Sequence, residues 1–347
     1  MNRPSQPWHV SPAADAAAYH FSWLFILLPL LSRGANFPTD YLFLFCLVAA
    51  ANVAHQALTF PLVLADKELF ARERRLFIAE PILVLTCTAA ALALSALNFR
   101  AFLGVMTISA VVSTLWNFWH VYMQKFGILR LYNAKSPAAV KIPAWSDKLF
   151  VFSWLPLYFA VLGPRHRDEL PRLFPLMRSF LVPLTGLLTS VSVVAVPLSA
   201  SLVVFSLAAF VLHERRSGFL CLPRLSFAAG MTALSASILL VDPIKAVLAF
   251  GFSHLVEYFV FVWAYERKRG LAAPGVSMLV FVLASTGLFL FAVGWGRLFF
   301  AGARFPSLLG VPFDRIGTVF VVYQSLFHFH VDGKIWKVSR PEVRRAL

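Results

Sequence analysis

His20, His55, His120, His254 and His328 each fall inside a different long apolar stretch of the chain. Neutral imidazole binds metals and moves protons near neutral pH. These histidines have polar company at the three- and four-residue spacings that share a helix face. Asn52, His55 and Thr59 stand at i, i+3 and i+7, and Asn117, His120 and Gln124 repeat the pattern. Glu257 follows His254 by one turn, with Tyr258 beside it, and Gln324, His328 and Asp332 line up at i, i+4 and i+8. His330 is two residues from His328, about 200° around a helix and therefore on another face.

An ionised carboxylate inside a membrane is expensive unless it is paired or neutralised. A cation shared between carboxylates and neutral imidazoles removes that penalty. The expected ligand set is His20, His55, His120, His254, His328, Asp332 and Glu257. Glu257 would bridge or carry a proton, and Glu257 and Tyr258 are the catalytic candidates. Asn52, Asn117, Gln124 and Gln324 would orient the ring N–H groups. Imidazole and carboxylate without thiolate suit Fe, Zn, Mn or Cu. Five histidines with two carboxylates exceed the usual four ligands of one zinc and point to iron, one ion or two, ahead of zinc or haem.

The elements that must position these groups are membrane helices. Of 347 residues 59% are apolar and only 14% charged, against about 25% charged in soluble chains. Such a chain cannot cover a water-facing surface. Apolar runs of about 20 residues without strand-type alternation predict an all-α, polytopic helical membrane protein. We expect about ten spans (range 8–10): 12–32, 39–65, 76–97, 101–124, 146–163, 189–212, 224–241, 243–265, 275–296 and 312–333. Ser11-Pro12 reads as an N-cap with proline at the first helical position. The stretch around Asp242-Pro243 allows two helices or one broken pair. Residues 164–188 read as a non-spanning interfacial loop, within a single transmembrane domain covering 1–347. The polar N-terminus runs into a full-length span, which argues against a cleavable signal.

With a cytoplasmic N-terminus, inside segments collect 21 of the 31 basic residues, including Arg224, which favours both termini in the cytoplasm. All five histidines then lie about 12–20 Å from the cytoplasmic end of their helices. His9, His166 and His213 are expected to be solvated. Trp119, Trp145, Trp263 and Trp336 fit an inner aromatic belt. Cys46, Cys87 and Cys221 are too few and scattered for a disulfide framework. The net charge of +15 suits anionic lipid, and no soluble basic module points to nucleic acid.

The segments WNFWHVYMQKFGILRLYNAK (116–135), GFSHLVEYFVFVWAYERKR (251–269) and FHFHVDGKIWKVSRPEVRRAL (327–347) resemble blocks of a family of uncharacterised bacterial multi-pass membrane proteins. There a His-led Gln and Gly, a His-led helix with a basic end, and a closing His-x-x-x-Asp with Ile-Trp-Lys recur. His120, Gln124, Phe126, Gly127, Arg130 and Tyr132, then His254, then His328, Asp332, Ile335, Trp336 and Lys337 match. One histidine per helix also resembles, in architecture, the bacterial carotene-cleaving membrane dioxygenases. That likeness implies iron chemistry on an apolar substrate in a bacterial inner membrane. The dense HxxxH boxes of membrane desaturases are missing.

The leading expectation is a membrane-embedded non-haem iron oxidoreductase acting on a lipid or hydrocarbon. An electron-donor protein would dock at the cytoplasmic face. A transporter or proton- or metal-conducting protein, and a bis-His haem electron carrier, are the alternatives.

Overall fold

The computed structural model describes residues 5–32, 55–56, 66–173, 177–270, 307–308 and 311–335. It is all-helical apart from one two-residue antiparallel pair, β1 (Ser307–Leu308) with β2 (Val311–Pro312). The expected spans 39–65, of which only 55–56 is described, and 275–296 lie outside the described residues. So do Asn52 and Trp336. The chain divides into two compact units. The first is Met1–Gly34 with Val121–Val256, and the second is Ala35–His120 with Glu257–Ala346.

In the first unit, α1 (Pro12–Asp15) starts as expected: Ser11 Oγ accepts the Ala14 N–H at 3.2 Å and Pro12 leads the helix. It then loosens into a π-helical turn, Ala16–His20, and α2 (Leu24–Ser32) leaves at 57°. The expected span 12–32 is therefore bent. Phe21 N–H reaches back to Ala16 at 3.0 Å, and Trp23 Nε1 donates to the His20 carbonyl at 3.1 Å, which holds the break. Against it packs Gly230 of α10 (Leu222–Leu240), where an added Cβ would stand 2.1 Å from the His20 carbonyl oxygen. A backbone oxygen in a packed turn cannot yield as a side chain does. Gly230→Ala is accordingly expected to destabilise by about 1–3 kcal/mol, the usual overpacking range. Thermal unfolding in detergent reads this, and an unchanged melting point would deny the close approach.

The expected span 146–163 is two short helices, α6 (Ala144–Phe152) and α7 (Trp154–Arg165), broken at Ser153. The Ser153 hydroxyl donates to Phe150 O at 3.2 Å and meets Ser206 Oγ at 2.8 Å, which competes with helix continuation. After the short α8 (Leu170–Leu173) comes α9 (Arg178–Arg216), 39 residues long. The apolar second half of 164–188 thus belongs to a continuous helix that begins at Arg178, not at 189. Thr185 and Thr189 do not interrupt it, because their hydroxyls donate to helix carbonyls one turn back. Asp242 Oδ1 caps α11 (Pro243–Lys268) by accepting the Lys245 N–H at 2.9 Å. The 224–265 region is consequently two helices.

Arg224 read as a basic flank. The structure buries it completely: Nη2 to Asp147 at 2.7 Å, Nε to Glu214 at 2.5 Å and Nη1 to Leu129 O at 2.7 Å. Arg130 also reaches Asp147, at 2.9 Å. Two cations and two carboxylates compensate one another, as buried charge requires. His9 and His166 are likewise buried rather than solvated, held against Tyr19 and Glu169.

In the second unit, α3 (Lys67–Arg72) and α4 (Arg74–Leu97) precede the N-terminal half of α5 (Phe99–Lys135). The C-terminal part of α11 and α12 (Phe313–Ile335) complete it. Leu69, Phe77 and Val84 pack on Phe327, Val331 and Ile335, while Ala91, Phe102 and Met106 pack on Val319. Asp66 caps α3 through the Leu69 N–H (3.1 Å) and also accepts from Tyr265 (2.9 Å) and Arg269 (3.2 Å).

Burial pushes the Asp66 carboxyl up, but these three donors outweigh it and hold it below its ordinary 3.8. A lowered carboxyl lends stability above its unfolded value and loses it as pH falls through the folded one. Wild-type protein is therefore expected to lose melting temperature on acidification below about pH 4. Asp66→Asn should flatten that slope and, through the weakened cap and ion pair, lower stability by about 1–2 kcal/mol at pH 7. Equal slopes for the two proteins would refute it.

Five described helices are long and apolar enough to cross a membrane: α4, α5, α9, α10 and Lys245–Lys268 of α11. The bent α1–α2 pair would make a sixth. At 1.5 Å per residue, α5 and α9 measure about 55–60 Å, well beyond a hydrocarbon core about 30 Å thick. Phe25, Leu28, Ile82, Leu83, Val193, Val194, Leu198 and Phe205 present their side chains outward. Apolar faces of this extent are compatible with a lipid surround.

Candidate metal centre

The centre is built within the second unit. His120 stands on α5 and is buried. His328 and Asp332 stand one turn apart on α12, so the helix itself sets both on one face. His328 Nε2 lies 3.5 Å from Asp332 Oδ2, and His120 Nε2 lies 3.9 Å from the same oxygen. One donor atom from each of the three falls within 4.8 Å of the others. Such separations are too long for ordinary hydrogen bonds. They suit a shared cation, since two donors about 2.1 Å from one ion sit roughly 3–4 Å apart. Neither ring nitrogen of the fully buried His328 makes a hydrogen bond of ordinary geometry. A buried imidazole so placed, beside a carboxylate, can serve as a ligand.

Among the described residues, aromatic side chains line the centre, Phe329 beside both His120 and His328. His55, also buried, meets His328 edge-on, ring centroids 4.9 Å apart and planes at 89°. Tyr258 on α11 stands 5.1 Å from His55 and 5.7 Å from His328 by ring centroid. Its hydroxyl donates to Asp332 Oδ1 at 3.3 Å. The phenol thereby turns the carboxylate so that Oδ2 faces the imidazoles, the outer-shell part that hydrogen-bonded ligands require.

The remaining expected residues fall as follows. His254 is buried on α11, one turn before Glu257 and Tyr258, and Glu257 is fully buried. Gln124 does not reach a ring in the bond observed: Nε2 donates to the backbone carbonyl of His254 at 3.0 Å, joining α5 to α11. Gln324 is buried one turn before His328, and Asn117 is half-buried one turn before His120. His330 points away, as its spacing predicted, and pairs with Glu80 of α4 at 2.5 Å.

His20 is placed differently. In the first unit, Nδ1 meets Ser226 Oγ at 2.8 Å and Nε2 meets Tyr132 Oη at 3.2 Å. Both nitrogens face hydroxyls, and among the described residues His20 belongs to no group with metal-ligand spacing. Its distance from a helix start gave depth but not direction, and the π turn rotates the ring.

No family model matches the chain, and neither a curated protein nor a solved structure is similar to it.

Sequence reasoning passed over Asp15, Ser226 and the pair Lys125–Ser253, whose Nζ and Oγ are 2.7 Å apart and buried, and it met Tyr132 only as part of a resembling block. Asp15 and Lys125 did carry a signal, as charged residues inside or beside apolar runs. Ser226 carried none, since a hydroxyl side chain is ordinary in a membrane helix.

Proposed function

We propose that this chain is a membrane-embedded metalloprotein in which His120, His328 and Asp332 hold non-haem iron, one ion or two. Its reaction in this reading is oxidation of a lipid or hydrocarbon that enters from the bilayer, with dioxygen as oxidant. Electrons would come from a donor protein at the cytoplasmic face. About ten spans, both termini inside and a bacterial inner membrane complete the reading. His20 is left out of the ligand set, while His55 and Glu257 remain the candidates for further ligands.

The observation that carries the proposal is the convergence of three buried donor atoms from α5 and α12 within 4.8 Å. Two imidazoles with one carboxylate are the ligand set that non-haem iron(II) sites take. The His120 and His328 rings, 4.9 Å apart by centroid and tilted 67°, leave no slot for a macrocycle between these two. Tyr258 holds the Asp332 carboxylate and keeps a phenol proton beside it. Bound iron would supply oxygen activation, and the apolar helix walls would exclude water and seat the substrate.

Elemental analysis of the purified protein, with an optical and EPR spectrum, tests the reading. One or two iron equivalents without a Soret band are expected. Folded, metal-free protein that still oxidises an apolar substrate would overturn it.

A further inference from the structure

The first unit holds a second polar constellation that the metal reading does not use. Asp15 is completely buried, and its carboxylate accepts the N–H groups of His9 (2.6 Å) and Val10 (2.9 Å). Tyr132 donates its hydroxyl proton to the same carboxylate at 2.8 Å. A phenol has one proton. The Tyr132 oxygen can therefore face His20 Nε2, 3.2 Å away, only as an acceptor, so Nε2 carries the imidazole proton. Nδ1 is then the acceptor, and Ser226 Oγ, 2.8 Å from it, donates.

The chain Ser226–His20–Tyr132–Asp15 is thus a proton path with one direction, a base beside a hydroxyl and a buried anion at the far end. Three segments distant in sequence meet to build it, and the π turn and the Gly230 contact fix the ring that joins them. Ser226 is half-buried, and Trp8, Phe21 and Phe227 surround His20 with ring centroids 5.8–6.2 Å away.

We infer that Ser226 is an activated nucleophile for acyl transfer from a carboxylic ester of a lipid. Ser226 and His20 are its catalytic residues, and Tyr132 and Asp15 position and polarise His20. Ser226 Oγ bonds to the ester carbonyl carbon as its proton passes to His20 Nδ1. The C–O bond to the alcohol breaks, and the departing oxygen takes that proton. Water repeats the step on the acyl-serine, releasing the carboxylic acid and restoring the Ser226 hydroxyl. No electrons are exchanged, and water is the only co-reactant. Asp15, acting through Tyr132, stabilises the imidazolium that forms between the steps. The aromatic rings beside His20 offer an apolar seat for the acyl chain.

The test is covalent labelling of the full-length protein in lipid nanodiscs with an alkyl fluorophosphonate, followed by peptide mass spectrometry. One adduct on Ser226 is expected, absent in Ser226→Ala. Tyr132→Phe and Asp15→Asn should lower the maximal labelling rate by about 100-fold, the scale of general-base assistance. The probe concentration giving half that rate should stay unchanged, which a merely loosened structure would not produce. Folded wild-type protein with unmodified Ser226 overturns the inference, as do wild-type labelling rates in both relay variants. Metal content is read in parallel, and its value bears on the iron reading alone.

Discussion

Asp332→Ala is expected to leave the purified protein with less than about a tenth of the wild-type metal, since loss of even an outer-shell partner weakens binding 10–100-fold. Asp332 is the charged member of the cluster and the group on which two imidazoles converge, at 3.5 and 3.9 Å. Without it, neutral rings alone face a dication in a low-dielectric setting, and its charge goes uncompensated. His328→Ala should act similarly, as it removes the ring that contacts both His55 and His120. Tyr258→Phe keeps every donor atom and frees only Asp332 Oδ1, so it should weaken metal binding less, by about tenfold. His20→Gln should leave metal content unchanged, because its nitrogens are committed to Ser226 and Tyr132. Metal-to-protein ratios by mass spectrometry, with helicity by circular dichroism as the folding control, decide the matter. Full metal occupancy in Asp332→Ala would remove the site.

Arg224→Met should cost about 3–5 kcal/mol, the effect of breaking a buried ion pair from one side. The guanidinium is completely buried and joins the Leu129 carbonyl, Asp147 and Glu214, so four helices of the first unit meet on one side chain. With it gone, Asp147 keeps Arg130 at 2.9 Å, whereas Glu214 loses the cation at 2.5 Å. Adding Glu214→Gln to Arg224→Met is therefore expected to recover part of the loss, and Asp147→Asn less. Yield of monodisperse protein and thermal unfolding in detergent report both. Stability equal to wild type in Arg224→Met would mean that the pair is solvated.

Much of the architecture could be read without coordinates, for reasons local to the chain. Leu-, Val- and Phe-rich runs as long as the membrane is thick must satisfy their backbone within themselves, so they become helices. A cap such as Ser11-Pro12 needs only neighbouring residues, whereas the residues around Asp242-Pro243 allowed two helices or one broken pair. The His328–Asp332 face and the divergence of His330 were equally legible, since 3.6 residues per turn dictates both. Span limits were less so. Ser153 breaks one expected span because its hydroxyl finds Ser206 on another helix, and α9 runs back to Arg178 as one helix that carries Pro183 inside it.

What the residues determined by themselves is therefore the helical, membrane-compatible class and the polar stripe on each helix. Which stripes face one another was decided by tertiary structure. Spacing fixes a side chain's height and angle on its own helix but not the neighbour across from it. His120 and His328 thus share Asp332, while His20, at a similar expected depth, is turned by a π-helical step toward Ser226 and Tyr132. Arg224, which sequence counting reads as a solvated flank, is buried because Asp147 and Glu214 come to it from elsewhere in the chain.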